Sequence, residues 1–210
     1  MPTICDTEKN QSHRPHRVGH SLTFFREFVR RPSSIGAIAP SSRHLAEAMV
    51  AHARAASARV ILEFGAGTGS FTANLLHAMP PEACLVAIEH NPRLCDVLRR
   101  RFPDLCIVAD SVEHAGRILQ EQGLPAACCI VSGLPWASFD EDLQDRLLAA
   151  TVDALRPQGR FVTFTYAHSL LLPAAKRFRR KIDGLFANVT TSRIVWRNLP
   201  PALVYCCTKT

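Results

Sequence analysis

VILEFGAGTGSFT, residues 60–72, decides the fold of this 210-residue chain. Positions 60–64 are a short apolar run of the kind that forms a buried strand covered on both faces. Gly65, Ala66, Gly67, Thr68 and Gly69 then make a turn, and a helix follows. Glycines in such a turn permit positive φ and let a ligand approach the backbone. The spacing is GxGxG, which does not meet the GxGxxG fingerprint of dinucleotide-binding turns. Glu63 stands two residues before the first glycine. A carboxylate there would repel a pyrophosphate and suits a ligand that carries positive charge.

Outward from this stretch, apolar runs alternate with helical segments. Strand-like runs lie at 60–64, 84–89, 105–109, 127–132 and 160–166, and helix-like segments near 70–79, 91–101, 111–121 and 140–154. This alternation predicts an α/β fold with a doubly wound, mostly parallel sheet. Two more strands, near 187–196 and 202–208, are separated by a short turn holding Pro200 and Pro201. So short a connection allows only an antiparallel hairpin, which predicts a seven-stranded sheet with an antiparallel last strand. The expected organisation is a flexible N-terminus over 1–19, an N-terminal helical segment over 20–50 and one domain over 51–210.

Two further carboxylates end consecutive strands. Glu89 lies twenty residues beyond Gly69 and is followed by His90, while Asp110 ends the third strand and is followed by Ser111. Glu89 is placed to hold a pair of ribose hydroxyls, and Asp110 to accept from an adenine amino group. One carboxylate at a strand end is commonly just solvated. Three in succession, at the carboxyl edge where doubly wound folds bind ligands, mark a nucleoside site. After the fourth strand comes SGLPW, residues 132–136. Ser132, Gly133, Leu134 and Pro135 form a rigid loop at the site, and Trp136 offers an aromatic face that favours a developing cation. Tyr166, ending the fifth strand, is a candidate for the mouth, and His168 close by is either a proton acceptor or a solvent-exposed helix start.

Charge and cysteine usage bound the partners. The net charge is +7 with a pI of about 9.2, which favours an anionic partner surface. Lys176, Arg177, Arg179, Arg180 and Lys181 crowd into six positions around Phe178. The eight cysteines show no CxxC spacing, so they read as small core hydrophobes in a reducing compartment, and no metal site is expected. No apolar run reaches the roughly 18 residues of a membrane span, and no export signal is evident. A cytoplasmic location is therefore expected. Before the fold, Leu22, Phe24, Phe25, Phe28 and Val29 share an arc of roughly 160° on a helix, opposite Arg26, Glu27, Arg30 and Arg31. Such a helix either packs across a sheet edge or lies in a membrane interface.

With these residues placed, the chain resembles the bacterial phospholipid N-methyltransferases. The resemblance rests on FFREFVRRPSSIGAIAPSS (24–42), LEFGAGTGSFT (62–72), AIEHNP (87–92) and SGLPW (132–136). It implies a Rossmann-like class I methyltransferase that uses S-adenosylmethionine and releases S-adenosylhomocysteine. It further implies conversion of phosphatidylethanolamine to phosphatidylcholine at the inner face of the cell membrane. Ser41 and Ser42 would then lie over the cofactor. Phe24, Phe25, Phe28, Arg30 and Arg31, with the cations of 176–181, would be the membrane contacts. Ornithine-lipid methylation is an alternative, since that lipid also presents a primary amine at a membrane surface. The chain is also similar to rRNA adenine dimethylases, whose loop begins with asparagine where this one has Ser132-Gly133. That departure, and the absence of their appended helical domain, weigh against nucleic acid. A membrane-binding module with a vestigial fold is the non-enzymatic alternative, and the intact Glu63, Gly67, Glu89 and Asp110 weigh against it. No obligate protein partner is evident.

Overall fold

The computed structural model describes residues 41–210. Phe24, Phe25, Phe28, Arg30 and Arg31 lie outside the described residues, as does the segment 1–19. The elements run α1 (Arg43–Ala53), β1 (Val60–Phe64), α2 (Thr72–Ala78), β2 (Cys84–Ile88), α3 (Pro92–Arg101), β3 (Cys106–Val108) and α4 (Ala115–Glu121). They continue with β4 (Ala127–Ser132), α5 (Glu141–Ala154), β5 (Leu155–Tyr166), α6 (Pro173–Leu185), β6 (Asn188–Thr191) and β7 (Ala202–Thr208). The strands form one seven-stranded sheet in the order β3-β2-β1-β4-β5-β7-β6. β1 to β5 are parallel, and β7 runs antiparallel to both β5 and β6. The order reverses between β1 and β4, which opens a crevice at the carboxyl ends of those two strands.

α1 begins at Ser42, whose hydroxyl accepts from the Leu45 amide at 3.2 Å, the usual N-cap arrangement. Leu45, Ala46, Met49, Val50 and Ala53 are buried against Ile61, Cys129, Val131, Val162 and Val204 of the sheet. The boundary expected at 50/51 therefore falls inside a helix. α1 belongs to the core of the domain, because its buried face covers four central strands.

The central strands are apolar on both faces because helices cover both. Ile61 pairs with Leu85 and Cys129 on one face, and Leu62 pairs with Val86 and Ile130 on the other. β5 begins at Leu155, earlier than expected, through an irregular segment. Ala127 pairs with Leu155 but Cys129 pairs with Arg160, and Gln158 takes a positive φ of 59° in the extra chain. β6 is shorter than expected. Beyond Thr191 the Ser192 hydroxyl accepts from the Val204 amide and donates to the Arg193 carbonyl, which turns the chain out of the sheet. The alternation of strand and helix segments in the sequence leaves 173–185 unassigned, and the structure forms α6 there. There Ala175, Phe178 and Ile182 repeat at helical spacing and are buried, with Pro173 in the first turn. Cys95, Cys129, Cys206 and Cys207 are buried thiols packed as small core side chains.

Candidate active site

The glycine turn sits at the switch point, held by its own backbone and by the next strand. The Gly65 amide donates to the Ile88 carbonyl at 2.9 Å, and the Gly67 amide to Glu89 Oε2 at 3.0 Å. Gly65 takes a φ of +67°, and a Cβ there would come within 2.6 Å of Leu134 Cδ2. Gly133 is as tightly placed, since a Cβ on it would lie 3.0 Å from the Gly65 carbonyl oxygen. The glycine turn and the SGLPW loop thus pack backbone against backbone, with Leu134 over Gly65. Over Gly67 the space is open, the nearest atom to a Cβ being 4.0 Å away. Ala66 packs below against Ala87 and Leu98, and the Thr68 carbonyl accepts from Arg101 at 2.7 Å.

Glu63, Glu89 and Asp110 end three successive strands, in three different electrostatic settings. Glu63 is fully buried. Its Oε2 accepts from the Thr72 hydroxyl at 2.7 Å, while Oε1 has no partner among the described residues. Burial pushes its carboxyl up to about 7, against the pull of the Thr72 hydrogen bond and with a small push from the Glu89 charge. Glu89 is almost as deeply buried, yet both its oxygens are used. Oε1 accepts from the Asn91 amide at 2.9 Å and Oε2 from Gly67. His90, between them, is exposed. Asp110 accepts from the Ser111 amide and His114 Nδ1 through Oδ1, and from Arg117 through Oδ2. Although partial burial opposes it, the His114 and Ser111 hydrogen bonds and the His114 and Arg117 charges hold its carboxyl below the usual range. The Ser111 side chain is turned to its own helix, accepting from the Glu113 amide.

In the SGLPW loop, the expectation for Trp136 needs correction. Trp136 is 2% exposed. One face is stacked on Phe178 at 5.4 Å, and Phe161 and Phe139 meet it edge-on. It presents no face to a substrate, because α6 covers it. Ser132 is also buried, and its hydroxyl accepts from Trp136 Nε1 at 2.9 Å and from the Leu134 amide at 3.3 Å. The loop is locked further by Gln144, whose amide donates to the Trp136 carbonyl at 2.7 Å. Ser132, Pro135 and Trp136 thus set the shape of the loop. The carbonyls of Ser132, Leu134 and Pro135 are bonded to Thr163, Trp136 and Ser138, leaving the Gly133 carbonyl uncommitted among the described residues.

At the mouth, Tyr166 stacks on His168 at 5.7 Å, and burial pushes its phenol up. Tyr166 continues through Phe164 to Phe71, the residue beside Gly133. Phe71 and Phe164 carry no distinguishing signal in the sequence, since a lone aromatic in a strand or turn indicates only core. Ser42 lies at the same sheet edge, its amide donating to Asn198 Oδ1 at 2.9 Å, with its hydroxyl committed to capping α1. The basic run 176–181 is not an open cluster. Arg177 pairs with Glu141, Arg179 with Asp183 and Lys181 with Asp145. α5 supplies two of those acids, leaving Lys176 and Arg180 without an ion pair among the described residues.

The fold matches an O-methyltransferase of Streptomyces achromogenes, TomG, in complex with S-adenosylmethionine (TM-score 0.64, 17% identity, 92% of each chain). It also matches an O-methyltransferase of Bacillus cereus in complex with S-adenosylhomocysteine (TM-score 0.62, 12% identity, 91% and 93% of the two chains). No family model matches. An ornithine lipid N-methyltransferase of Singulisphaera acidiphila is 32% identical over 187 residues, which span 88% of this chain and 93% of that one. The chain belongs to the class I S-adenosylmethionine-dependent methyltransferases.

The residues of this methyltransferase fit that cofactor. The orphaned Glu63 Oε1 is a buried acceptor in want of a donor, as an ammonium would supply. The open space over Gly67 admits a ligand against the backbone, and the Glu89 carboxylate beside it keeps lone pairs for hydroxyl groups. Of the Asp110 oxygens, Oδ2 has only Arg117 and retains acceptor capacity. In the methyltransferase, Glu63, Gly67, Glu89 and Asp110 would hold the cofactor.

Proposed function

We propose that this methyltransferase transfers methyl groups to the primary amine of a membrane-lipid headgroup, with ornithine lipid as the favoured substrate. The observation that carries this is the likeness to the Singulisphaera N-methyltransferase, which runs through nearly the whole of both chains. S-adenosylmethionine, when bound, supplies an electrophilic methyl group. Held by Glu63, Gly67, Glu89 and Asp110, it would offer that methyl group to the amine nitrogen, whose proton would leave to water. No dedicated base is required, provided the amine reaches the site unprotonated.

The chain contributes position. Holding two reactants in line contributes on the order of 7–11 kcal/mol to such a transfer. The Gly133 carbonyl, fixed against Gly65 by backbone packing, is the acceptor able to orient the amine. Ser132, Trp136 and Gln144 hold it there. The Phe71–Phe164–Tyr166–His168 series borders the approach from the sheet edge.

Phosphatidylethanolamine is the second reading, supported by SGLPW and the segment 24–42, which carry the resemblance to the phospholipid N-methyltransferases. Incubating the protein with S-adenosylmethionine and mixed micelles of either lipid, then weighing the lipids by mass spectrometry, separates the two. Methylated ornithine lipid supports the favoured substrate. Methylated phosphatidylethanolamine alone moves the assignment to the second reading, and unmodified lipids in both tubes overturn the proposal. Among the described residues no helix is long and apolar enough to cross a membrane.

A further inference from the structure

Two segments leave the sheet at the edge that carries the site and are tied to each other there. Tyr166 pairs with Ala202, and the Ala167 amide donates to the Pro201 carbonyl at 2.8 Å. One segment, 167–172, leads to α6, and the other, 192–201, leads into β7. Leu171 is 79% exposed, Leu172 52%, Trp196 73% and Leu199 82%. Single exposed apolar side chains are ordinary on a protein surface. Here four of the six large apolar residues exposed among the described residues fall on these two adjoining segments, the others being Leu76 and Leu185. Such clustering marks an interaction surface.

The exposure is built into the loop. Asn198, between Trp196 and Leu199, is 4% exposed. Its Oδ1 accepts from the Ser42 amide, and its Nδ2 donates to the Pro200 carbonyl at 2.7 Å. Arg197 reaches His44 of α1 at 3.3 Å. The loop is anchored through one buried amide while the apolar side chains on both sides of it face outward.

Charge selects the occupant. Between residues 166 and 201 the only acid in the sequence is Asp183, and Arg179 already pairs with it. Arg193 and Arg197 lie beside Trp196, and Lys176 and Arg180 lie on the helix that follows Leu172. None of these four has an ion pair with an acid among the described residues. Apolar tips among unpaired cations match a bilayer with anionic headgroups, where leucine enters the acyl boundary and tryptophan sits at the interface.

We propose that Leu171, Leu172, Trp196 and Leu199 form a docking rim that inserts into an anionic bilayer and presents the mouth of the site to lipid headgroups. This rests on the reading of the substrate as a membrane lipid. A protein partner or a second copy of the chain is the competing occupant.

The test is flotation of the full chain with phosphatidylcholine vesicles, with and without phosphatidylglycerol. It compares wild type with the variant carrying Leu171→Ser, Leu172→Ser, Trp196→Ser and Leu199→Ser. Circular dichroism confirms that these surface changes leave the fold intact. The expected result is wild-type binding that requires phosphatidylglycerol and weakens with salt, and partitioning about 100-fold lower in the variant. A second variant, Arg193→Glu with Arg197→Glu, loses binding to the anionic vesicles. The quadruple variant keeps its turnover on a short-chain lipid amine dispersed in micelles, because the site itself is untouched. Equal flotation of wild type and quadruple variant overturns the rim. So does a wild-type dimer that the variant dissolves without change in vesicle binding. Rim-dependent flotation by a wild type that methylates no lipid amine upholds the rim and overturns the substrate reading.

Discussion

Trp136 donates its indole Nε1–H to the buried Ser132 hydroxyl across 2.9 Å. The bond joins the end of β4 to an aromatic cluster under α6, and it converts the SGLPW loop from a set of reactive groups into a rigid frame. The proposed reaction therefore draws on the loop's backbone, at the Gly133 carbonyl.

A first prediction separates frame from catalyst. Trp136→Ala empties a site flanked by Phe139, Phe161 and Phe178 and costs about 3–5 kcal/mol of stability in urea unfolding. Trp136→Phe keeps the stacking, loses one hydrogen bond worth about 1 kcal/mol and retains most turnover. Near-complete loss of turnover in a folded Trp136→Phe protein would show that the indole acts on the substrate after all.

Glu89 ties Gly67 and Asn91 together through two charge-assisted hydrogen bonds. In Glu89→Gln one of these amides faces a donor instead of an acceptor. A hydrogen bond to a charged group is worth about 1.5–3 kcal/mol, so cofactor affinity falls roughly 10- to 100-fold with the fold retained. Isothermal calorimetry reads the dissociation constant directly, and an unchanged value would remove Glu89 from the site.

The Glu63 carboxyl carries a sign for pH dependence. Its folded value, about 7, lies above the ordinary 4.5 because burial disfavours the charge. The folded state therefore binds more protons between those values, and stability falls as pH rises through them. The contribution is fully present below about pH 4.5 and lost above about 7, amounting to about 3 kcal/mol. Glu63→Gln removes the titration. Denaturant unfolding from pH 4.5 to 7.5 should show wild type losing stability relative to the variant, and parallel curves would contradict the shift.

Gly65 and Leu134 are predicted to couple. Gly65→Ala brings a methyl within 2.6 Å of Leu134 Cδ2 and strains a φ of +67°, at a cost of about 1–3 kcal/mol. Adding Leu134→Ala relieves the collision but not the strain. A double-mutant cycle by thermal unfolding should give a favourable coupling between the two changes, and strict additivity would refute the contact.

The strands and the glycine turn were legible because burial on both faces writes itself as unbroken apolar runs. Val60–Phe64 and Ala127–Ser132 fall where the pattern places them. Features set by long-range contact were not. Nothing local in SGLPW shows that Phe178, forty-two residues on, covers Trp136. Nor does the run 176–181 reveal that Glu141 and Asp145 of α5 engage Arg177 and Lys181. The boundary at 50/51 failed because α1 is rich in alanine, and small residues give a weak periodic signal even where they are buried. Glu63 was visible as a carboxylate before the glycines, but only its burial shows an oxygen left without a donor.

The most direct test is methyl transfer from radiolabelled S-adenosylmethionine with anionic vesicles containing ornithine lipid or phosphatidylethanolamine, beside a tube with ribosomal RNA. The account predicts label in a lipid amine and none in RNA. Label in RNA with none in either lipid would contradict it.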